Sequence, residues 1–177
     1  MGLMLLCGCS GEYVHGLEYC NNYLDDSYGI VDLLPNREFL EKYTYIDGDF
    51  HYYGGTFETS KALLYLKFDE ETYLEAKEDI LSYAVCSDFS FSYNGFVFYQ
   101  NVFLDKDSAD RENIKLEIEN WGNWFSMIAY SDEKNTIVSI GYNSSNKDDI
   151  HGENIQNNDD FAKFIERYYL EFYDFDA

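Results

Sequence analysis

Phe89-Ser90-Phe91-Ser92-Tyr93 alternates strictly between aromatic side chains and serine, Asn94-Gly95 follows, and Phe96–Phe103 resumes as an extended run. Two such runs joined by Asn-Gly close a tight hairpin, because the two-residue turn that matches strand twist needs positive φ at both central positions. A chain carrying this hairpin is committed to an antiparallel sheet with at least one buried face. Other segments extend the sheet. Trp124–Tyr130 and Thr136–Tyr142 predict a second hairpin across Ser131–Asn135. Tyr45–Phe57 has a strand pattern interrupted by Gly48 and Gly54-Gly55, and Lys61–Phe68 (KALLYLKF) is a mostly apolar run suited to a central strand. Ile114–Glu119 alternates apolar with charged residues and reads as a strand, with a helical turn starting at Ser108 as its rival.

Helices are expected between and after these strands. Asp69 can cap one, Glu70 and Glu71 fill its first turn, and Tyr73, Ala76, Ile80 and Ala84 form a stripe at helical spacing. A closing helix starts near Asp159, with Phe161, Phe164, Ile165, Tyr168 and Phe172 on one face. Asn36–Tyr43 predicts a short helix behind Pro35, and Gly16–Tyr28 a short helix or irregular entry segment. Asn143–Asn158 has almost no apolar residues and reads as a mobile surface loop. The expected architecture is α+β: an antiparallel sheet built from hairpins with helices packed on one face. Residues 1–15 are expected to be a signal remnant and tether, and residues 16–177 a single α+β domain.

Composition agrees with a folded domain and narrows its partners. With 46% hydrophobic and 19% aromatic residues, the 177-residue chain has ample material for a core, whereas disorder requires low hydrophobicity. The net charge of −22 and the absence of any Lys/Arg cluster exclude nucleic acid as a direct partner, since phosphate backbones are bound through such clusters. Anionic lipid headgroups are excluded on the same ground. A cationic partner or divalent cation stays compatible with the charge, as does a purely solubilising role for the acids.

Several groups of residues have the types that chemistry requires. Asp47, Asp49 and His51 alternate along a predicted strand, so all three would point to one face and could hold a divalent cation; a solvated sheet face is the competing explanation. Asp148, Asp149, His151 and Glu153 offer similar ligands in the polar loop without the spacing of a calcium loop. Trp121 and Trp124, flanking a turn, form a candidate ligand platform with Tyr52, Tyr53 and Tyr142, although aromatics at such positions usually pack. Cys20 and Cys86 are a candidate disulfide in an oxidising compartment, or two buried thiols. The chain has no G-x-S-x-G, H-E-x-x-H, G-x-x-x-x-G-K, G-x-G-x-x-G or C-x-x-C. No catalytic residue and no cofactor is therefore assigned.

Leu6-Cys7-Gly8-Cys9, between the apolar Leu3–Leu6 and the polar Ser10-Gly11-Glu12, resembles the lipobox of bacterial lipoproteins. That resemblance implies lipidation of Cys9, which would become the first mature residue. No Lys or Arg precedes Cys9 and the apolar stretch is short, so the expectation is that Met1 lies inside a longer signal. A short buried strand is the alternative for this segment. Tyr65–Glu71, Asn94–Phe98 and Ala129–Thr136 give the body a resemblance to small lipoproteins of low-GC Gram-positive bacteria, a group that implies an address and a single-domain architecture but no activity. The resulting expectation is a non-enzymatic cell-envelope lipoprotein that binds an extracellular ligand or protein. It would touch the membrane only through Cys9. The alternative is a cytosolic, acidic, immunity-type protein that binds a basic partner.

Overall fold

The computed structural model describes residues 12–20, 33–36, 38–54, 59–105, 107–111, 113–114, 122–146 and 148–176. Its strands are β1 (Glu12–His15), β2 (Asp47–Gly54), β3 (Ser60–Lys67), β4 (Ala84–Cys86), β5 (Phe91–Tyr93), β6 (Phe96–Phe103), β7 (Trp124–Ser131) and β8 (Thr136–Asn143). Its helices include α1 (Phe39–Lys42), α2 (Glu70–Tyr83) and α3 (Asn158–Tyr168). The sheet runs β1-β2-β3-β8-β7-β6-β4, with β5 also paired to β6, and every described pairing is antiparallel. The fold is α+β, as the sequence predicts.

Local signals explain the elements. Asn94 and Gly95 adopt φ of 47° and 81°, and Tyr93 pairs with Phe96 across the turn. Asn135, at φ 50°, closes the β7–β8 turn. Asp69 caps α2 by accepting from the Thr72 amide at 3.0 Å and the Thr72 hydroxyl at 2.9 Å. Asn157 caps α3 through the Asp160 amide at 3.0 Å. Beyond α2 the chain turns directly into β4, and the Arg111 guanidinium holds that junction by donating to the carbonyls of Tyr83 and Ala84.

The expectation of helices on one face is corrected: both faces of the sheet are covered. On one, Phe50, Ala62, Leu64, Leu66, Ile128 and Ile137 pack under Tyr73, Ala76 and Ile80 of α2 and under Leu33, Leu34, Phe39 and Leu40. On the other, Leu63, Met127, Ala129, Val138, Ile140 and Tyr142 pack under Phe161, Phe164, Ile165 and Tyr168 of α3. The reason is written in the central strands. Residues 62–64 and 66 of β3 and nearly all of β8 are buried whichever face they point to, and a strand buried on two faces reads as a continuous run without alternation.

Other differences are local. Residues 12–15, expected in the tether, pair with β2 as an edge strand, because Tyr13-Val14-His15 places Val14 toward one layer and its neighbours toward the other. Asn143–Asn158 is not a free surface loop. Its Asp149 carboxylate, 9% exposed, accepts from Thr59 and from Ser144 (2.6 Å) and pairs with Arg167 (3.1 Å), while His151 Nε2 donates to the Asn146 carbonyl and Ile155 joins the core. Burial pushes the Asp149 carboxyl up, but the hydroxyl hydrogen bonds and the Arg167 charge outweigh it and hold the group below the usual carboxylate range. Phe172 lies beyond α3, in the turns that carry the chain back under the sheet. Asn36 and Glu38 precede a helix of only one turn, Phe39–Lys42. The strand predicted at Ile114–Glu119 lies almost wholly outside the described residues, and Ile114 itself is helical.

Phe164 is fully buried and contacts Phe125, Tyr142, Phe161, Tyr168 and Tyr169. Phe164→Ala should destabilise the domain by about 3–5 kcal/mol in urea unfolding, because the surrounding rings cannot fully close the cavity.

Candidate functional site

Among the described residues, the α3-side layer thins at the β1–β2 end. Register sets what stands there. His15 opposes His51, Tyr13 opposes Tyr53, and Tyr53 opposes Lys61, so these side chains share the face on which α3 packs. Among the described residues, the chain after α3 reaches this end through Glu171 and Phe172. A shallow depression of about 490 Å³ results, lined by Tyr13, Tyr53, Lys61, Glu171 and Phe172.

Two polar arrangements meet around it. In the first, the Tyr13 hydroxyl lies 2.9 Å from His51 Nδ1, and His51 Nε2 lies 3.2 Å from the Asp49 carboxylate. A carboxylate beside Nε2 favours the proton on that nitrogen, which leaves Nδ1 to accept from the Tyr13 O–H. Burial lowers the His51 pKa, the Asp49 charge opposes that shift and the nearby His15 adds to it, with a net result below the ordinary histidine value. The imidazole is stacked on Phe172 at 5.2 Å and 9°, and on His15 at 6.0 Å. Burial and the charges of Asp49 and Glu171 raise the Tyr13 pKa, so this phenol is a hydrogen-bond donor and a poor nucleophile.

In the second arrangement, Lys61 is buried at 8% exposure, and its ammonium pairs with the Glu171 carboxylate, whose side chain is 64% exposed. The same ammonium stands over the Phe172 ring at 4.7 Å and the Tyr53 ring at 5.7 Å. This is a cation held by two aromatic faces and one carboxylate.

The sequence-predicted candidates fare differently. Asp49 and His51 do come together, but Asp47 bonds the Gly48 amide and stands beside Tyr65, whose hydroxyl is pushed up to about 12 by burial, then by Asp47 and Asp49. Among the described residues no three His, Cys, Asp or Glu side chains are placed to hold a metal ion. That applies equally to Asp148, Asp149, His151 and Glu153, because Asp149 turns inward to its hydroxyl partners. Trp124 opens β7 opposite Asn143 and is 61% exposed, contrary to the expectation that it packs. Trp121 lies outside the described residues, and of the tyrosines considered with the two tryptophans Tyr52 and Tyr142 are buried, on opposite faces of the sheet. Of the two alternatives for Cys20 and Cys86, the disulfide is corrected: the two are not bonded to each other, both lie in the α2-side layer, and burial pushes the Cys20 thiol up to about 12. Cys9 lies outside the described residues.

Tyr13, Lys61, Glu171 and Phe172 were not legible as a site. Tyr13 and His15 carry a period-two signal but stand in what reads as a tether, and Lys61 opens an apolar run.

Because the folded state holds His51 below its unfolded pKa, the unfolded chain binds the proton more readily. His51 thus favours folding above the unfolded value of about 6.5, and that contribution falls as pH drops from there through the folded pKa. Its imidazole proton resonance should titrate with a midpoint below 6.5, and Asp49→Asn should move the midpoint further down by removing the charge that favours the imidazolium. In unreduced, denatured protein, peptide mapping should find Cys20 and Cys86 as separately alkylated thiols, with Cys20 unreactive until unfolding. No family model, curated protein or solved structure matches this chain, so its function is inferred from the chemistry of this face.

Proposed function

We propose that this chain is a non-enzymatic binding domain of the cell envelope, anchored by a lipid on Cys9 and presenting the β1–β2 end of its sheet to a ligand or protein partner. The observation that carries the binding reading is the depression lined by Tyr13, Tyr53, Lys61, Glu171 and Phe172, where the exposed Tyr13 ring and Glu171 carboxylate stand over the buried Lys61 and Phe172. An open, aromatic-lined surface with a few convergent polar groups suits recognition. Catalysis is not favoured: the Tyr13–His51–Asp49 chain ends in a phenol whose pKa is raised, which orients a ring better than it activates an oxygen.

The address rests on Leu6-Cys7-Gly8-Cys9. Glu12, the first residue of β1, stands three residues beyond Cys9, so an acyl anchor there would hold the β1 edge within about 10 Å of the headgroups. No described helix is long and apolar enough to cross a membrane. The net charge of −22 favours a second reading, a cytosolic acidic or immunity-type protein that binds a basic partner.

Expression in a Gram-positive host, with any in-frame codons upstream of Met1, separates the two. Wild type should enter the detergent phase and carry added acyl mass, while Cys9→Ala should do neither. If both forms stay in the soluble cytosolic fraction, the anchor is refuted and the second reading stands.

A further inference from the structure

The depression at the β1–β2 end already holds one cation, and the way it does so indicates what it takes from outside. Lys61 reaches the depression from beneath, through β3, with its ammonium against the faces of Phe172 and Tyr53 and its charge met by Glu171. Among the described residues, the outer side of the same arrangement is exposed at Tyr13 and Glu171. The Glu171 side chain is largely exposed, and Tyr13, itself 52% exposed, adds a ring 5.9 Å from Phe172. Asp49 supplies a second carboxylate beside His51. With His51 neutral, the groups named here carry one positive and two negative charges, in a chain of net −22.

We infer that this face binds the guanidinium group of an arginine in a basic partner segment. The guanidinium stacks on the exposed Tyr13 ring and donates to the outer oxygen of Glu171, with Asp49 within the same field. A planar, weakly hydrated cation with forked donors matches a carboxylate flanked by aromatic faces better than a compact ammonium does. The Lys61 position is closed to an anion by contrast. An anion would have to displace Glu171 from a buried ammonium and enter the field of a strongly acidic domain. The inference rests on the proposal that the β1–β2 end is the binding surface, and it is independent of the anchor at Cys9.

The test uses the full chain at 150 mM salt and three probes: the peptide acetyl-Gly-Arg-Gly-Arg-Gly-amide, a peptide of the same length with Ser in place of Arg, and glucuronate. Calorimetry gives affinity, and the His51 imidazole and Tyr13 ring resonances report where each probe lies. The arginine peptide should bind and shift both resonances. Glu171→Gln and Tyr13→Leu should each weaken it by about fivefold, the size of one exposed cation–π or ion-pair contact. Glu75→Gln, an equal charge change on the exposed side of α2, should change affinity less than twofold. Lysine in place of arginine in the peptide should bind more weakly. Equal losses in Glu171→Gln and Glu75→Gln would mean a diffuse field and overturn the inference. So would glucuronate binding that strengthens in Glu171→Gln, which would make Lys61 an anion anchor while leaving the binding surface in place. If no probe moves either resonance, the inference and the binding surface fall together.

Discussion

Everything in this fold follows from the burial of β3, β8 and β7 on both faces. Leu63 and Ile140 meet on one side of the ladder and Leu64 and Ser139 on the other, and each side needs its own cover. Each large side chain removed from water contributes about 1.5–3 kcal/mol, so neither face of such strands can be left wet. Two layers are thereby forced on a chain with few helices. α2 and the segment around Phe39 take one face, and α3 with the following Phe172 and Phe175 takes the other. The aromatic richness serves this arrangement: Phe96, Phe98, Phe161, Tyr173 and Phe175 form a continuous set of edge-to-face and tilted ring contacts that a short helix alone could not supply.

The cover is economical, and its edge defines the surface. α3 is eleven residues long and lies toward the β5–β8 side, with Phe161 stacked on Phe91, and the sheet's β1–β2 end is met by the turns after it. There Phe172 does two jobs, stacking on His51 and supporting the Lys61 ammonium. The polar groups at this end are neither core nor plain solvent-facing surface. They are half-buried, mutually paired and framed by rings, which is the environment in which charge recognition is least screened by salt.

In so acidic a chain the cations hold structural positions. Lys42 meets Asp79, Lys77 meets Asp132 together with the Tyr73 hydroxyl, and Arg167 meets the buried Asp149. Arg111 and Lys134 donate instead to backbone carbonyls, at the α2–β4 junction (Ala84) and in the turns after α3 (Phe175). The surplus of carboxylates is left to set the field outside. Exposed ion pairs of this kind contribute little stability each, about 0–1 kcal/mol, and their value here is in fixing where turns and termini sit. Asp149 differs because it is buried. Its hydroxyl partners and Arg167 turn a polar, apparently loose segment into part of the fold.

The sequence alone determined the elements whose signals are local. The Asn94-Gly95 turn, the Asp69 cap, the stripes of α2 and α3 and the antiparallel class all rest on contacts within a few residues, where propensity and periodicity act directly. It did not determine how many faces of the sheet are covered, because a continuous apolar run such as Lys61–Phe68 has no period from which to count them. It did not bring Tyr13 to His51 either, since the two are 38 positions apart and are joined only by the β1–β2 register. The pairing of Lys61 with Glu171, 110 positions away, likewise depends on where the chain goes after α3. Tertiary structure decided the site because its groups come from both ends of the chain, and only packing of the second layer carries the last of them to the sheet.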